Sequence, residues 1–137
     1  MLIYTSNIRD SEKMLSKVKE SEEQLRGIEQ IGRESAKCII EKDYYKLGEL
    51  MDTHWTLKKT ISPDMSSPDV DELYKNAKRL GAIGGKLVGA GGGGFLMLVV
   101  PDDRVRMNIL QSGCFEQRAY VPFKLTHTGT EVIVNDS

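Results

Sequence analysis

The chain of 137 residues is long enough for one domain with a packed core, and its 39 % hydrophobic and 28 % charged residues are typical of globular proteins. A net charge of −1 and the absence of a basic cluster among aromatic residues argue against nucleic-acid binding. The longest apolar stretch, Phe95–Val100, is far shorter than the roughly 20 residues of a membrane span, and the first residues lack a signal-peptide pattern, so we expect a cytoplasmic protein without membrane contact.

The first half of the chain is predicted to be helical after a short strand. The strand is the apolar run MLIYT at residues 1–5, an unusual chain start because such a strand needs a partner. A helix over about Ser21–Lys42 is indicated by apolar residues at spacings of three and four. Asp43 then has the position of an N-cap for a helix that ends at about Ile61, before Ser62-Pro63.

A third helix has the clearest local signals. Ser67 can cap it, Pro68 suits its first position, and Gly81 is placed to end it. Aromatic side chains of the helical half are predicted to pack in the core or at an interface, and these are Tyr44, Tyr45, Trp55 and Tyr74.

The second half of the chain is predicted to supply most of a sheet. Its elements, in order, are a short strand at Lys86–Val88, a buried strand at Phe95–Val100, a helix from Asp102 or Asp103 to about Gln111, and strands at Arg118–Leu125 and Glu131–Val134. Helices followed by strands of this kind predict an α+β domain with a mostly antiparallel sheet.

Eight of the thirteen glycines lie in one window of fourteen residues, Gly81–Gly94, which reads GAIGGKLVGAGGGG. Each glycine in an ordered segment costs roughly 0.5–1 kcal/mol relative to alanine, so their concentration indicates positive φ angles or close backbone approach. Successive backbone N–H groups in such a loop commonly hold a phosphate. A hairpin with tight turns is the alternative, although the six residues Gly89–Gly94 are more than a hairpin needs.

The window is not a Walker A loop, because no Gly-Lys-Ser/Thr ends it, and it is not a dinucleotide fingerprint, because it precedes a strand. The stretch KLVGAGGGGF, preceded by GAIGG, resembles the C-terminal glycine-rich motif of the GHMP kinases, a superfamily named for galactokinase, homoserine kinase, mevalonate kinase and phosphomevalonate kinase. HWTLKK at 54–59 and SSPDVDELY at 66–74 extend the resemblance. It is nearest to the bacterial heptose kinases, which phosphorylate D-glycero-D-manno-heptose 7-phosphate at its anomeric hydroxyl with ATP.

The resemblance implies that residues 1–137 form a single ferredoxin-like C-terminal domain. The family's N-terminal domain carries a Ser-rich glycine loop for ATP and an acidic residue that acts as base or Mg²⁺ ligand, and neither has a counterpart in this sequence. We therefore expect the full-length enzyme to use ATP and Mg²⁺, with that domain as partner, and we expect the isolated chain to be inactive. No catalytic residue and no metal ligand is assigned to this chain.

The site residues that the resemblance implies form two groups. The first is the glycine motif, whose backbone amides would lie near the transferring phosphate, and it consists of Gly89, Ala90, Gly91, Gly92, Gly93 and Gly94. The second is a set of basic side chains that could contact a phosphate of the sugar or of ATP, and it consists of Lys86, His54 and Lys58. Structural interpretations stay open for the second group, since Lys86 could be a solvated strand-edge lysine and His54 a core residue.

Other functions are compatible with the sequence. The substrate could be another sugar, such as fucose or galactose, because the missing domain would form much of the pocket. The chain could instead be a free-standing regulatory module that binds a phosphorylated metabolite, or half of a split kinase whose other half is a separate polypeptide. An uncovered apolar face that leads to a homodimer or to aggregation would favour a half-enzyme over a regulatory module.

Overall fold

The computed structural model describes residues 1–5, 22–89, 92–116, 118–124 and 128. Within these residues the elements, in chain order, are β1 (Leu2–Tyr4), α1 (Glu22–Glu41), α2 (Tyr44–Ile61), a 3₁₀-helix (Pro63–Met65), α3 (Pro68–Arg79), β2 (Gly84–Leu87), β3 (Phe95–Val99), α4 (Asp103–Gln111) and β4 (Tyr120–Val121). None of these helices is both long enough and apolar enough to cross a membrane.

Side-chain caps set the start of three of these helices. In each case a side-chain oxygen accepts a hydrogen bond from the backbone N–H three residues later, and the pairs are Asp43 with Lys46 (2.9 Å), Ser67 with Val70 (3.3 Å) and Asp102 with Val105 (2.8 Å). The predicted N-caps Asp43 and Ser67 are thereby confirmed. Gly81 follows the end of α3 with a φ of 108°, a left-handed conformation that suits glycine at a helix end.

The four strands form one antiparallel sheet in the order β2-β3-β1-β4. This order, with a helix between β1 and β2 and another between β3 and β4, is the ferredoxin-like β-α-β-β-α-β arrangement. Helix α3 is the last helix of the first connection and α4 forms the second, while α1 and α2 precede α3 within the first connection. The α+β class and the ferredoxin-like sheet are confirmed.

One face of the sheet carries the main core. Leu87 pairs with Leu96 across β2 and β3, and Leu98 lies two residues further along β3, so all three side chains point to the same face. They are almost completely buried among apolar residues of α3, α4 and β1. Trp55 of α2 is fully buried in the same cluster, as expected of a residue that packs elements together.

The opposite face of the sheet meets α2 through glycines. A Cβ added to Gly84 of β2 would lie 1.9 Å from the carbonyl oxygen of Gly48, and one added to Gly48 would lie 2.6 Å from Ile83. Helix and strand therefore approach each other at backbone distance, which no larger residue at these positions would permit. This contact fixes the position of α2 beside the loop that follows β2.

All four described strands differ from their predicted bounds, two of them by more than one residue at an end. The first sheet strand after α3 begins at Gly84 and ends at Leu87, so it includes two glycines and excludes Val88. The last described strand is only Tyr120–Val121, because its partner β1 is three residues long and Pro122 has no N–H to donate. Leu125 and the predicted strand Glu131–Val134 lie outside the described residues.

Three helical tyrosines are predicted to lie in the core or at an interface, and only one of them lies in the core. Tyr74 is buried on α3, whereas Tyr44 and Tyr45 are 55 % and 63 % exposed. They begin α2 directly after the turn from α1. Of the two cysteines, both of which are unpaired thiols, Cys38 is buried on α1 and Cys114 is exposed.

Candidate functional site

The glycine loop, defined as residues 88–94, joins β2 to β3. Ala90 and Gly91 of the predicted motif lie outside the described residues. Gly89, Gly92 and Gly94 have φ angles of 89°, 77° and 91°, a region that other L-residues rarely adopt. These three positions of the loop therefore need glycine for their backbone conformation.

Two backbone contacts hold the second half of the glycine loop. The N–H of Gly92 donates to the carbonyl oxygen of Met65 in the 3₁₀-helix at 2.9 Å. The carbonyl oxygen of Gly94 accepts from both the N–H of Thr5 at 2.8 Å and its hydroxyl at 2.9 Å. Thr5 is fully buried just after β1, so its side chain is a fixed support for the loop.

An arginine connects this support to the start of α3. The guanidinium of Arg118 donates to the carbonyl oxygen of Thr5 and, at 2.6 Å, to the carboxylate of Asp69. Sequence reasoning missed both Thr5 and Arg118, because they are 89 and 24 residues from Gly94 and nothing local marks them. Only the pairing of β1 with β3 and β4 brings them to the loop.

The first half of the glycine loop is held by a lysine that sequence reasoning selected. The ammonium of Lys58 on α2 donates to the carbonyl oxygen of Gly89 at 2.7 Å. His54 lies one helical turn earlier on the same face of α2, and Lys86 lies on β2 shortly before the loop. We call His54, Lys58 and Lys86 the basic cluster, because the structure brings all three together beside the loop.

The three side chains of the basic cluster are partly buried, and the charges of the lysines lower the pKa values of their neighbours. Burial, followed by the charges of Lys86 and Lys58, lowers the pKa of His54 from 6.5 to about 4. Burial and the charge of Lys86 lower the pKa of Lys58, and burial lowers that of Lys86. Within the described chain, no ion pair to an Asp or Glu neutralises any of the three.

This arrangement favours an anion at the base of the glycine loop. Near neutral pH His54 is uncharged and the two lysines are charged, so the cluster presents two positive charges at a partly buried position. The Nδ1 atom of His54 is buried without a hydrogen-bond partner among the described residues. A phosphate or carboxylate there would pair with the lysines and relieve their mutual repulsion.

The first glycines of the sequence window have structural roles. Gly81 ends α3, and an added Cβ at Gly84 or Gly85 would lie within 2.2 Å of a backbone oxygen. These three residues are explained by the fold without any ligand. The interpretation as an anion-binding segment therefore applies to the glycine loop and not to the whole window.

Among the described residues, no group of three His, Cys, Asp or Glu side chains is placed to hold a metal ion. Two described carboxylates of α3 are engaged with neighbouring side chains. Asp69 pairs with Arg118, and Asp71 accepts from Lys59 at 3.1 Å and from the hydroxyl of Ser66 at 3.0 Å. The chemistry available at this site is thus cationic side chains and backbone groups.

Residues 35–114 match a family model for the C-terminal region of the GHMP kinases. The match covers more than half of the chain and includes the basic cluster and the glycine loop.

Individual relatives extend this similarity. The chain is 27 % identical over 137 residues to the D-glycero-alpha-D-manno-heptose 7-phosphate kinase of Campylobacter jejuni, an alignment that covers 95 % of this chain and 40 % of that enzyme. It is 23 % identical to the bifunctional fucokinase/GDP-fucose pyrophosphorylase of Arabidopsis thaliana, over 88 % of this chain and 12 % of that protein. It is 39 % identical over 66 residues to the mevalonate kinase of Pyrococcus abyssi, over 48 % of this chain and 19 % of the relative.

Solved structures share the fold. The crystal structure of L. major mevalonate kinase in complex with R-mevalonate superposes with a TM-score of 0.70 at 23 % identity, over 82 % of this chain and 38 % of that one. The Methanococcus jannaschii mevalonate kinase superposes with a TM-score of 0.65 at 25 % identity, over 80 % and 34 %. The chain spans less than half the length of each of these five relatives.

Proposed function

The chain belongs to the GHMP kinase C-terminal family, and we propose that it forms the C-terminal domain of an ATP-dependent kinase that phosphorylates D-glycero-D-manno-heptose 7-phosphate at its anomeric hydroxyl. Family membership supports phosphotransferase chemistry in general. The choice of heptose 7-phosphate rests on the motifs HWTLKK and SSPDVDELY and on the similarity, over 95 % of this chain, to an enzyme of that name.

The observation that carries the proposal is the contact between Lys58 and the glycine loop. It places the ammonium 2.7 Å from Gly89, at the loop whose glycines match the family motif, and Lys86 and His54 lie within electrostatic range of it. A substrate that already carries a phosphate gives this cluster an obvious counter-charge. A neutral sugar such as fucose or galactose would leave the two lysines unneutralised.

In the proposed reaction, the anomeric oxygen attacks the γ-phosphorus of ATP, and the bond from that phosphorus to the bridging oxygen breaks and releases ADP. The hydroxyl proton passes to solvent or to the acidic residue that we propose for the further domain. Such transfer depends mainly on positioning and on stabilisation of the developing charge. The chain's own contribution is to hold the glycine loop at the reacting groups and to bind the substrate phosphate through the basic cluster. We assign no catalytic base and no metal ligand to this chain.

We propose that ATP, its metal ion and the acidic residue belong to a further domain that pairs with this one. In the family, an N-terminal domain carries the second glycine loop that surrounds the ATP phosphates. On this proposal the 137-residue chain alone does not turn over ATP. The complete reading frame around its coding sequence, or a separate partner chain, would supply the missing half.

The test is a kinase assay on the protein encoded by the complete reading frame that contains this chain. ADP release is measured with ATP and, in parallel, heptose 7-phosphate, free heptose, fucose, galactose and mevalonate. We expect the highest kcat/KM with heptose 7-phosphate. The variants Lys58→Met and Lys86→Met should each raise its KM about 10- to 100-fold, since a hydrogen bond to a charged group contributes about 1.5–3 kcal/mol. Lys75→Met, at an exposed position on α3, is the matched control.

The outcomes separate the alternatives. Preference for fucose or galactose would retain the kinase but overturn the proposed substrate. A protein that binds heptose 7-phosphate but phosphorylates none of these compounds would favour the regulatory module. Turnover by the 137-residue chain alone, lost on replacing Gly92 and Gly93 with valine, would contradict the division of the site between two domains.

A further inference from the structure

A cavity of about 290 Å³ lies between the α1–α2 helical pair and the sheet. Ile28 and Ile31 of α1, Met51 of α2 and Met97 of β3 form its apolar walls. His54 and Lys86 are its ionisable lining residues, so one end of the cavity reaches the basic cluster. Lys86 and Met97 are direct cross-strand partners, which places the charged and apolar parts side by side on the same face of the sheet.

The lining of the cavity suits an apolar body and disfavours a sugar. Hydroxyl groups that enter an apolar site without hydrogen-bond partners carry a desolvation cost of about 1–3 kcal/mol each by mutational data. Apart from the hydroxyl of Ser35 and the ionisable groups of His54 and Lys86, the side chains that line the cavity offer no such partners. Methionine side chains adapt readily to ligands of irregular shape, and a volume near 300 Å³ is at the lower end for small-molecule sites.

The ionisable end of the cavity suits a single negative charge. Lys86 is partly buried and has no acidic ion-pair partner among the described residues. The buried Nδ1 atom of His54 also lacks a hydrogen-bond partner within the described chain. A carboxylate at this end would accept a hydrogen bond from the ammonium of Lys86 and neutralise its charge.

One residue that lines the cavity is a glycine in the middle of a helix. Gly32 lines the cavity from the middle of α1, and a Cβ added there would meet nothing within 4 Å. Gly27 on the same helix differs, because its added Cβ would lie 2.8 Å from Leu57 and close packing explains it. Glycine inside a helix costs roughly 0.5–1 kcal/mol relative to alanine, and at position 32 no packing contact accounts for that cost.

We propose that this cavity binds a small amphipathic carboxylate, with its apolar part between α1, α2 and β3 and its carboxylate at Lys86. This inference goes beyond the proposed kinase function, because binding needs neither ATP nor a second domain. The proposed sugar phosphate differs from this ligand in having no apolar body. A ligand at Lys86 would compete for a residue of the basic cluster and thereby affect binding at the glycine loop.

Hexanoate is the probe, titrated into the 137-residue chain labelled with ¹³C at the methionine methyl groups. Met51 and Met97 line the cavity, whereas Met107 is exposed on α4 and serves as an internal control. We expect saturable shifts at Met51 and Met97 and none at Met107. Acetate, which lacks the apolar body, and hexan-1-ol, which lacks the charge, should each bind at least about tenfold more weakly, because each loses one of the two interactions.

Two variants separate the parts of the site. Gly32→Leu adds a large side chain to a lining residue and should abolish the hexanoate shifts, and the chain should still fold because the added Cβ meets nothing within 4 Å. Lys86→Met should keep the cavity and weaken hexanoate about 10- to 100-fold. Gly32→Ala and Lys75→Met are the matched controls, the first adding only a methyl group and the second removing an exposed lysine.

Specific results would overturn the inference. These are hexanoate shifts that persist in a folded Gly32→Leu protein, equal binding of hexanoate and hexan-1-ol, or shifts at Met51 and Met97 produced equally by glucose 6-phosphate. Failure of the kinase assay would not affect this result. Conversely, the full protein could be an active heptose kinase while the chain shows no binding of hexanoate. That result would leave the proposed function standing and refute the cavity site.

Discussion

Lys58 and Gly89, which are 31 residues apart, are joined by a hydrogen bond of 2.7 Å from the ammonium to the carbonyl oxygen. The bond links α2 to the point where the chain leaves β2 and enters the glycine loop. Lys58 is partly buried, and both burial and the charge of Lys86 lower its pKa. Burial and the charge of Lys86 therefore disfavour the charged form of Lys58. The hydrogen bond to the Gly89 carbonyl oxygen stabilises the ammonium at this position.

Replacing Lys58 with methionine should loosen the start of the glycine loop without unfolding the domain. The side chain keeps its length but loses the hydrogen bond, which contributes about 1 kcal/mol, below the usual range for a charged donor because the contact is exposed to solvent. We expect the backbone amide of Val88, which donates to Phe95 at 2.8 Å, to exchange about fivefold faster with solvent. Hydrogen exchange measured by NMR checks this, with Lys75→Met as control. Unchanged protection of Val88 in the Lys58 variant would show that the bond does not hold the loop.

The contact between Gly84 and Gly48 should tolerate no added atom. A Cβ at position 84 would lie 1.9 Å from the carbonyl oxygen of Gly48, so Gly84→Ala must push α2 away from β2. We expect the free energy of unfolding to fall by about 1–3 kcal/mol or more, the usual cost of overpacking. Urea denaturation measures it. Gly32→Ala, where the added Cβ meets nothing within 4 Å, should instead gain up to about 1 kcal/mol, and a similar loss in both variants would contradict the packing argument.

Helix positions could be predicted because their signals are local. Asp43 and Ser67 each accept from a backbone N–H three residues later, so the capping residue and its partner lie within one turn of sequence. Pro68 and Gly81 likewise have local effects on the backbone, at the two ends of α3. The strand β4 could not be bounded in this way, because its length depends on β1, whose residues lie more than a hundred positions away.

The candidate site could be predicted only in part for the same reason. His54, Lys58, Lys86 and the glycine loop are all indicated by motifs, and the structure brings the three side chains together beside the loop. Thr5 and Arg118 support the loop through long-range contacts that leave no pattern in the sequence. The packing role of Gly84 could not be predicted either. The sequence does not distinguish a glycine that allows a helix to pack closely against a strand from a glycine in a phosphate-binding loop.

A hydrogen bond between α2 and α3 should contribute measurably to stability. The hydroxyl of Tyr74 donates to the carboxylate of Asp52 at 2.5 Å, and Lys78 donates to the other carboxylate oxygen at 3.1 Å. Burial, with a further contribution from Asp52, raises the pKa of Tyr74, so the phenol stays protonated and remains a donor.

Tyr74→Phe should lower the free energy of unfolding by about 1.5 kcal/mol, near the lower end for hydrogen bonds to charged groups because Asp52 is partly exposed. Chemical denaturation of the variant checks this value. Tyr45→Phe is the matched control, since Tyr45 is 63 % exposed and its hydroxyl should change stability by less than about 0.5 kcal/mol. Equal effects of the two substitutions would mean that the bond to Asp52 contributes nothing.

His54 should make the domain less stable in mild acid. Its pKa is about 4 in the folded chain and close to the ordinary 6.5 when unfolded, chiefly because of burial and then because of Lys86 and Lys58. As the pH falls from 6.5 towards 4, the unfolded chain therefore binds a proton that the folded chain does not. The free energy of unfolding contributed by this group is greatest above pH 6.5 and decreases through that window.

His54→Gln removes this proton while keeping a polar side chain of similar size. The variant should lose less stability than the unmodified chain between pH 6.5 and 4, and the two curves should run parallel above pH 6.5. Thermal or urea unfolding at several pH values gives both curves, and the acidic groups common to both proteins cancel in their difference. The same measurement with Lys86→Met tests the cause, because removal of that charge should raise the pKa of His54 and reduce its share of the acid loss. Curves that stay parallel down to pH 4 in all three proteins would show that His54 titrates normally and that the basic cluster is open to solvent.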